Sequence, residues 1–266
     1  MRRIALLLSL PLVIALGARA DDWNKTYAIS QHAQMGFRGD DANVHVTACD
    51  CKQVTARVAT VGWRLAPDEV RITEQQTGDT VNLELRVPHD MHWWGMTHRS
   101  IDVDLRVPRT SDLNLRTGDG HIDVMGVAGE LRLQSGDGRI TGTDLEGKLY
   151  ASTGDGRITV SGRFDLLDLN SGDGRIEADV RSGSKPAMGW RVHTGDGSIT
   201  LRLPADFSAE LDAQTGDGRI QVDLPVTTSG SFSRNRVHGK LNQGGPPLNV
   251  TSGDGSIRLE RAGASL

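Results

Sequence analysis

The chain has 266 residues, a net charge of −4 and 37% hydrophobic side chains, which is enough for one large domain or two ordinary ones and excludes a membrane transporter. Its 32 glycines exceed the usual share of about 7% and require a structural explanation. Lysine and arginine (30) do not outnumber aspartate and glutamate (34), so nucleic acid is not an expected partner.

Residues 1–20 have the organisation of a secretory signal peptide. Two arginines precede an apolar run over residues 4–16, and residues 18–20 read Ala-Arg-Ala, a small-x-small cleavage signal. The run is shorter than the roughly 20 residues that span a bilayer, so we expect no stable membrane insertion after cleavage. The sequence predicts export by the Sec route to the periplasm or to the cell surface and extracellular space. The exported chain would begin at Asp21 with a net charge of −7, since three arginines are removed.

We expect residues 21–266 to form one domain, with irregular N-terminal coils and a cap over residues 21–110 and regular repeats over residues 111–266. Within the first part, apolar and polar residues alternate with the period of half-buried strands over residues 44–48, 54–58 and 81–87. A longer alternating run ends at Pro108 and indicates that a further coil starts near Ser100. No helical periodicity follows the signal peptide.

The only two cysteines, Cys49 and Cys51, lie in this first part. In an exported protein a disulfide has to be considered. On an extended strand their Cα atoms would be about 6.6 Å apart, at the outer limit for a bridge. The alternation stops at Ala48 and resumes at Val54, which places the pair in a turn. The sequence therefore predicts a small local disulfide, with free or intermolecular thiols and a metal site with His45 as alternatives.

An unusual stretch rich in histidine and tryptophan interrupts the strand pattern before Ser100. In a chain with only 4% aromatic residues, it supplies a candidate ligand loop made of His89, His92, Trp93, Trp94 and His98. One interpretation is a sugar-stacking platform or a metal site. The other is that the tryptophans cover the open N-terminal side of a stack of strands.

The second part contains seven copies of Gly-Asp-Gly, at spacings of 18, 18, 18, 23, 21 and 37 residues. Each copy follows a threonine or serine, and an isoleucine stands two places after its second glycine. The copies are Gly118-Asp119-Gly120, Gly136-Asp137-Gly138, Gly154-Asp155-Gly156, Gly172-Asp173-Gly174, Gly195-Asp196-Gly197, Gly216-Asp217-Gly218 and Gly253-Asp254-Gly255. Their isoleucines are Ile122, Ile140, Ile158, Ile176, Ile199, Ile220 and Ile257.

Strands flank each copy. The residues five and three places before the first glycine are apolar, as Leu131 and Leu133 are, and polar residues alternate with them. A unit of 18 residues cannot bury its apolar face alone and must stack on its neighbours. Stacking at about 4.8 Å superposes the isoleucines in one internal ladder. The sequence thus predicts an all-β fold, a single-chain parallel β-solenoid with coils of 18–21 residues.

The Gly-Asp-Gly unit suits a tight turn, because glycine adopts positive φ without a Cβ clash and aspartate bonds its own backbone. We therefore expect a structural turn and no cofactor or metal. The alternative is calcium, held by the column of seven aspartates. Four arginines directly after turns are expected to interleave with that column: Arg139, Arg157, Arg175 and Arg219.

The repeated Ser/Thr-Gly-Asp-Gly-x-Ile unit resembles that of the bacterial exported β-strand-repeat proteins known as "putative adhesins", a domain of unknown function. The resemblance spans roughly residues 40–260. It implies a single-chain right-handed β-helix, and it brings no catalytic residues.

We expect no enzymatic activity, since no Ser/His/Asp, P-loop or HExxH pattern stands out and the polar residues recur coil after coil. The resulting hypothesis is a non-enzymatic, adhesin-like binding or structural module for a glycan or an envelope protein. The alternatives are a periplasmic envelope-associated scaffold or sensor component and, third, a polysaccharide-active β-helix enzyme. The candidate binding surface is a row of outward residues two places before each first glycine: Arg116, Gln134, Ser152, Asn170, His193, Gln214 and Thr251.

Overall fold

The computed structural model describes residues 20–66, 68–87 and 99–263, with the backbone alone at residue 20 and over residues 228–232. Residues 1–19 of the predicted signal peptide and the candidate ligand loop, residues 89–98, lie outside the described residues. Every regular element in the described part is a β-strand, and no helix there is long and apolar enough to cross a membrane.

The strands are numbered in chain order. They are β1 (Ala20–Ala28), β2 (Ala33–Gly39), β3 (Asn43–Cys49), β4 (Gln53–Val61), β5 (Arg71–Thr77), β6 (Thr80–Arg86), β7 (Ser100–Pro108), β8 (Ser111–Thr117), β9 (Ile122–Met125), β10 (Ala128–Ser135), β11 (Ile140–Thr153), β12 (Ile158–Ser171), β13 (Ile176–Val180), β14 (Trp190–Thr194), β15 (Ile199–Leu203), β16 (Ala209–Thr215), β17 (Ile220–Val222), β18 (Val226–Phe232), β19 (Arg236–Leu241), β20 (Pro247–Ser252) and β21 (Ile257–Arg261).

The strands form two arrays, one on each side of the Gly-Asp-Gly turns. Neighbours in the pre-turn array follow the order β5-β6-β2-β8-β10-β11-β12-β14-β20-β16-β19-β18. Neighbours in the post-turn array follow the order β1-β4-β7-β3-β9-β11-β12-β13-β15-β21-β17. The long strands β11 and β12 belong to both arrays, because each turns a corner between its two halves.

Alternating apolar residues from both arrays fill one core. Leu131 pairs in register with Leu113 in the pre-turn array, and Ile140 pairs with Ile122 in the post-turn array. All four side chains are at most 2% exposed. The seven repeat isoleucines are all buried, with 8% exposure at most, and equivalent isoleucines of neighbouring coils face each other. Stacking therefore buries an apolar face that no single coil could cover.

The prediction of parallel strands throughout is too simple, because the sheet is mixed. The interior coils pair in parallel, whereas β1 with β4, β4 with β7, β5 with β6, β16 with β19, and β18 with β19 pair in antiparallel fashion. A parallel stack leaves a row of unpaired backbone groups at each end. The antiparallel strands cover both ends of the pre-turn array and the β1 end of the post-turn array, whose other end is β17, paired in parallel with β21.

Coils near both ends are stacked out of sequence order. Strands β2 and β3 lie between β6 and β8 and between β7 and β9, respectively. At the other end, β20 lies between β14 and β16, and β21 lies between β15 and β17. The seventh Gly-Asp-Gly copy of the sequence is therefore the sixth in space, between the fifth copy and the sixth.

The corner opposite the turns is held by ion pairs between coils. Glu146 pairs with Arg109 at 3.0 Å and with Arg163 at 2.7 Å. Asp144, which adopts a left-handed φ of 55°, pairs with Arg181 and, at 3.5 Å, with Arg109. These contacts join β11 to the corners before and after it along the stack.

Candidate functional site

The turn column is built on buried hydroxyls. The serine or threonine before each Gly-Asp-Gly is at most 7% exposed. Thr153 Oγ1 donates to the carbonyl of Gly138 in the preceding coil at 2.9 Å, and Thr194 Oγ1 donates to that of Gly174 at 2.9 Å. Six members of the set donate to a turn-glycine carbonyl of the neighbouring coil, and Thr117 donates to the carbonyl of Ala42. We call the set the hydroxyl ladder: Thr117, Ser135, Thr153, Ser171, Thr194, Thr215 and Ser252.

Sequence reasoning did not assign this role to the hydroxyls. The signal was present, since all seven copies carry Ser or Thr at this position. In the three serine copies the hydroxyl also accepts within its own turn: Ser135 Oγ from Gly138 N at 3.0 Å, Ser171 Oγ from Gly174 N at 3.0 Å and Ser252 Oγ from Gly255 N at 2.9 Å. The hydroxyls thus tie each turn to the next and close the turn itself, which is a structural role.

The turn glycines are required by the close approach of neighbouring coils. A Cβ on Gly156 would lie 2.1 Å from the carbonyl oxygen of Gly138, and one on Gly174 would lie 1.8 Å from that of Gly156. None of the fourteen glycines of the seven copies, all of which the structure describes, has φ in the left-handed region. The expectation that they supply positive φ is wrong, because the constraint is the backbone of the next coil.

The seven turn aspartates are exposed and line up along the stack. Asp137 Oδ1 accepts from the backbone N–H of Asp155 in the next coil at 3.4 Å. Within the described residues no ion pair joins a turn aspartate to the four post-turn arginines, and Arg175 lies instead 3.8 Å from Glu177. The expected interleaving of arginine with aspartate is therefore wrong.

No group of three or more His, Cys, Asp or Glu side chains in the part of the chain that the structure describes could share a metal ion. Calcium binding at the aspartate column stays the alternative hypothesis to a purely structural turn, and no observation tests it.

Cys49 and Cys51 are joined by a disulfide with a Cα–Cα distance of 5.3 Å. This distance is shorter than two residues of extended strand, as expected for a turn, and the bridge lies between β3 and β4. His45, which the sequence offered as a metal ligand beside the cysteines, has its Nδ1 3.2 Å from Asp123 Oδ2. The structure thus gives the two cysteines and the histidine separate partners.

The outward row of the pre-turn array is continuous in space. Gln134 pairs in register with Arg116 and Ser152, and His193 pairs with Asn170 and Thr251. All seven row residues face solvent, six of them exposed and Ser152 half-buried. Because the seventh copy is inserted before the sixth, the row runs in the order Arg116, Gln134, Ser152, Asn170, His193, Thr251, Gln214.

A groove of about 270 Å³ runs between this row and a second outward row two residues earlier on each strand. Its lining includes Asn114, Arg132, Tyr150 and Asp168 of the second row. The guanidinium of Arg132 lies 5.0 Å from the ring centre of Tyr150, a cation–π distance. The groove therefore presents amide, hydroxyl, guanidinium and aromatic groups together.

The model of the family described as Toastrack DUF4097 matches residues 77–260, more than two thirds of the chain. The chain belongs to the Toastrack DUF4097 family. The match begins at the end of β5, so it includes the Gly-Asp-Gly coils and the inserted strands β20 and β21 but leaves out β1 to β4 of the Toastrack chain.

No curated protein matches the Toastrack chain. Among solved structures it is similar to a "putative cell adhesion protein" from Clostridium sporogenes, with 11% identity, coverage of 91% of this chain and 100% of that chain, and a TM-score of 0.45. It is also similar to a "putative lipid binding protein" from Parabacteroides distasonis, with 14% identity, coverage of 91% and 98%, and a TM-score of 0.45. A "putative adhesin" from Parabacteroides merdae has 11% identity, coverage of 90% and 95%, and a TM-score of 0.40. Likenesses of this size carry no functional argument.

Proposed function

We propose that the chain is an exported, non-enzymatic binding module whose coils wind right-handed and whose ligand site is the outer face of the pre-turn array. The observation that carries the proposal is the continuous outward row with its groove. Neighbouring row residues are one coil apart, about 4.8 Å, and present amide or hydroxyl groups at most positions. A repeating surface of this kind matches a repeating ligand, and sugar hydroxyls pair with amides and hydroxyls. A glycan is therefore the proposed ligand.

The absence of catalysis is part of the proposal. An active site requires a few groups with distinct roles in one place. The outward row of the pre-turn array instead repeats amide and hydroxyl groups along the stack, as Gln134, Ser152 and Asn170 do. The arrangement supports binding along a surface rather than reaction at a point.

The test is a glycan array probed with protein expressed from the full-length sequence and purified after export. The binding variant carries Gln134→Glu, Asn170→Glu and Gln214→Glu, which place three negative charges on the row. We expect this variant to lose array binding, because sugar hydroxyls would face carboxylates in place of amides. Undiminished binding by the variant would contradict the proposal.

A matched control carries the same charge change on the post-turn array: Thr141→Glu, Thr143→Glu and Thr159→Glu. These residues point away from the core on β11 and β12. We expect the control to bind as the unmodified protein does. Equal loss in both variants would show that net charge, and not the row, determines binding.

The place of action is tested by protease shaving of intact cells, with lysed cells as the comparison. Cleavage on intact cells is the outcome expected for an adhesin-like module that contacts external glycans. Cleavage only after lysis would overturn a surface role and favour a periplasmic scaffold or sensor component.

A further inference from the structure

A second surface, on the post-turn array, has a different character. Beside the turn column lies a cleft of about 700 Å³ lined by four arginines, Arg175, Arg219, Arg234 and Arg258. Its volume is in the range of small-molecule and oligosaccharide pockets. The chain as a whole is acidic, so a concentration of guanidinium groups in one concave place is a local feature.

The out-of-order stacking creates this cleft. The residue directly before each ladder isoleucine forms a row that reads, in spatial order, His121, Arg139, Arg157, Arg175, Ser198, Ser256 and Arg219. Ser198 and Ser256 are neighbours only because β21 lies between β15 and β17. Two short side chains therefore separate Arg175 from Arg219 and leave a gap in the row of arginines. The two arginines are three coils apart, about 14 Å at about 4.8 Å per coil.

The other two arginines close the gap from different directions. Arg258 lies two residues beyond Ser256 on β21, in the middle of the gap. Arg234 comes from the segment between β18 and β19, whose backbone is fixed because the Arg234 carbonyl accepts from Ile220 N at 3.0 Å. The four guanidiniums thus come from four strands or connections that only the folded stack brings together.

The positive charge of the cleft is only partly compensated. Among the described residues, Arg219 and Arg234 have no carboxylate within ion-pair distance. Arg258 lies 3.6 Å from Glu260, longer than a hydrogen bond. Arg175 likewise lies 3.8 Å from Glu177. Two aspartates, Asp217 and Asp254, also line the cleft, so Arg219 and Arg234 are the two arginines of its lining that have no ion pair among the described residues.

We infer that this cleft binds an acidic glycan, one whose sugar units carry carboxylate or sulfate groups. Guanidinium groups bind such planar or tetrahedral oxyanions with paired, charge-assisted hydrogen bonds. Ser198, Thr200 and Ser256 add hydroxyls between the arginines, suited to sugar hydroxyls. The cleft lies on the post-turn array, so binding there does not depend on the proposed pre-turn site.

The lining argues against other anions. Its isoleucines, Ile199 and Ile257, are at most 1% exposed, so neither offers its side chain to an acyl chain. The carboxylates of Asp217 and Asp254 favour a ligand with hydroxyl donors on every unit, such as a sugar chain, over a DNA strand, whose phosphodiester backbone has none. They accept hydrogen bonds from a ligand whose charges are separated by hydroxyl-bearing groups.

The experiment is isothermal titration of protein expressed from the full-length sequence and purified after export. The probes are an oligogalacturonate, a sulfated oligosaccharide, a neutral oligosaccharide of equal length, an oligodeoxynucleotide and inorganic phosphate. We expect the acidic sugars to bind with an affinity that falls as salt rises, and the neutral sugar not to bind. Absence of binding by both acidic sugars, or tighter binding of the oligonucleotide or phosphate, would overturn the inference.

Two double variants distinguish sugar binding at the cleft from general attraction to the protein's positive charges. Arg219→Ala with Arg234→Ala removes two cleft guanidiniums and is expected to weaken acidic-sugar binding about tenfold or more. The control, Arg139→Ala with Arg157→Ala, removes two guanidiniums of the same row outside the cleft and is expected to change binding by less than about twofold. Equal losses in the two variants would reject a defined site.

A third variant increases the charge yet should block the site. Ser198→Arg with Ser256→Arg restores the arginine row across the gap, and we expect weaker binding because the two long side chains fill the cleft. Tighter binding would mean simple electrostatic attraction and would reject the cleft. The pre-turn variant with three glutamates is expected to bind acidic sugars at the arginine cleft as the unmodified protein does. Loss of binding at the pre-turn site and loss of binding at the cleft can therefore be told apart.

Discussion

At the scale of single residues, contact between coils determines the turn sequence. The second glycine of each copy faces a carbonyl of the preceding coil, and the Ser or Thr hydroxyl donates to that same carbonyl. Both features concern backbone atoms that cannot move without separating paired strands. Stacking thus explains why the glycines and the Ser or Thr recur in all seven turns.

Gly156→Ala tests the packing role of the turn glycines. We expect a loss of about 3 kcal/mol in the free energy of unfolding, because the new Cβ would overlap the Gly138 carbonyl, 2.1 Å away. The control is Gly78→Ala, where φ is +59° but nothing lies within 4 Å of the added Cβ, so only about 1 kcal/mol of backbone strain is expected. Urea unfolding measures both, and a smaller loss at Gly156 than at Gly78 would contradict the packing argument.

Thr153→Val tests the hydroxyl ladder. Valine keeps the shape of threonine, so the change removes the hydrogen bonds to the Gly138 and Gly136 carbonyls without a large cavity. We expect a loss of about 1–2 kcal/mol in the free energy of unfolding, the cost of a buried group left unpaired. The same substitution at Thr159, on the outer side of β12, should change stability by less than about 0.5 kcal/mol. Comparable urea midpoints for the two variants would argue against the ladder.

At the scale of elements, the two corners of a coil are held by different chemistry. The Gly-Asp-Gly corner uses buried hydroxyls, while the opposite corner of β11 uses exposed ion pairs. There, a hydrogen bond from Arg181 is the main cause that lowers the pKa of Asp144, and one from Arg163 is the main cause that lowers the pKa of Glu146. The ion pairs of the second corner should therefore respond to acid.

The acid response has a definite sign. Because the folded pKa values of Asp144 and Glu146 lie below their ordinary values of 3.8 and 4.5, their contribution is complete above those values and is lost as the pH falls through the folded pKa values. Since the groups are largely exposed, each pair contributes less than about 1 kcal/mol. Asp144→Asn with Glu146→Gln should lower the melting temperature slightly at pH 7 and reduce its fall between pH 5 and 3.

The matched control for the acid response is Asp179→Asn, an exposed carboxylate on β13 that has no ion pair among the described residues. This variant should keep the full acid dependence of the unmodified protein. Asparagine at position 144 tolerates the left-handed φ of 55°, so the first variant adds no backbone strain. An unchanged acid dependence in the double variant would mean that these ion pairs do not hold the corner.

At the scale of the whole molecule, the periodicity of the sequence predicts strands and turns but not their neighbours. The alternation around Leu131 and the isoleucine after each turn are visible in the residues, and the buried positions follow from them. The order of stacking does not follow, because β17 and β21 offer equivalent edges to β15. The antiparallel pairing at the ends does not follow from the sequence either, since apolar and polar residues alternate in the same way in parallel and antiparallel strands. The arginine cleft depends on that order, and for this reason no local pattern around Ser198 or Ser256 indicates it.

The out-of-order stacking predicts where the molecule frays. In a solenoid wound in sequence order, the last coil lies at an end and opens first. Here β20 and β21 are bonded on both sides, whereas β18 is bonded only to β19. We expect hydrogen exchange of the β20 and β21 amides to be as slow as that of β12, and exchange of the β18 amides to be much faster.

Deletion of residues 243–266 tests whether the inserted last coil is needed for folding. The cut removes β20 and β21, so it takes an inner coil away and leaves β16 and β17 without the strands that join them to β14 and β15. We therefore expect loss of cooperative unfolding of the C-terminal coils in urea, together with fast exchange in β16 and β17. A stack that merely becomes one coil shorter, with β16 and β17 still protected, would show that the sixth repeat can pair directly with the fifth. In that case the inserted last coil would be dispensable for the fold.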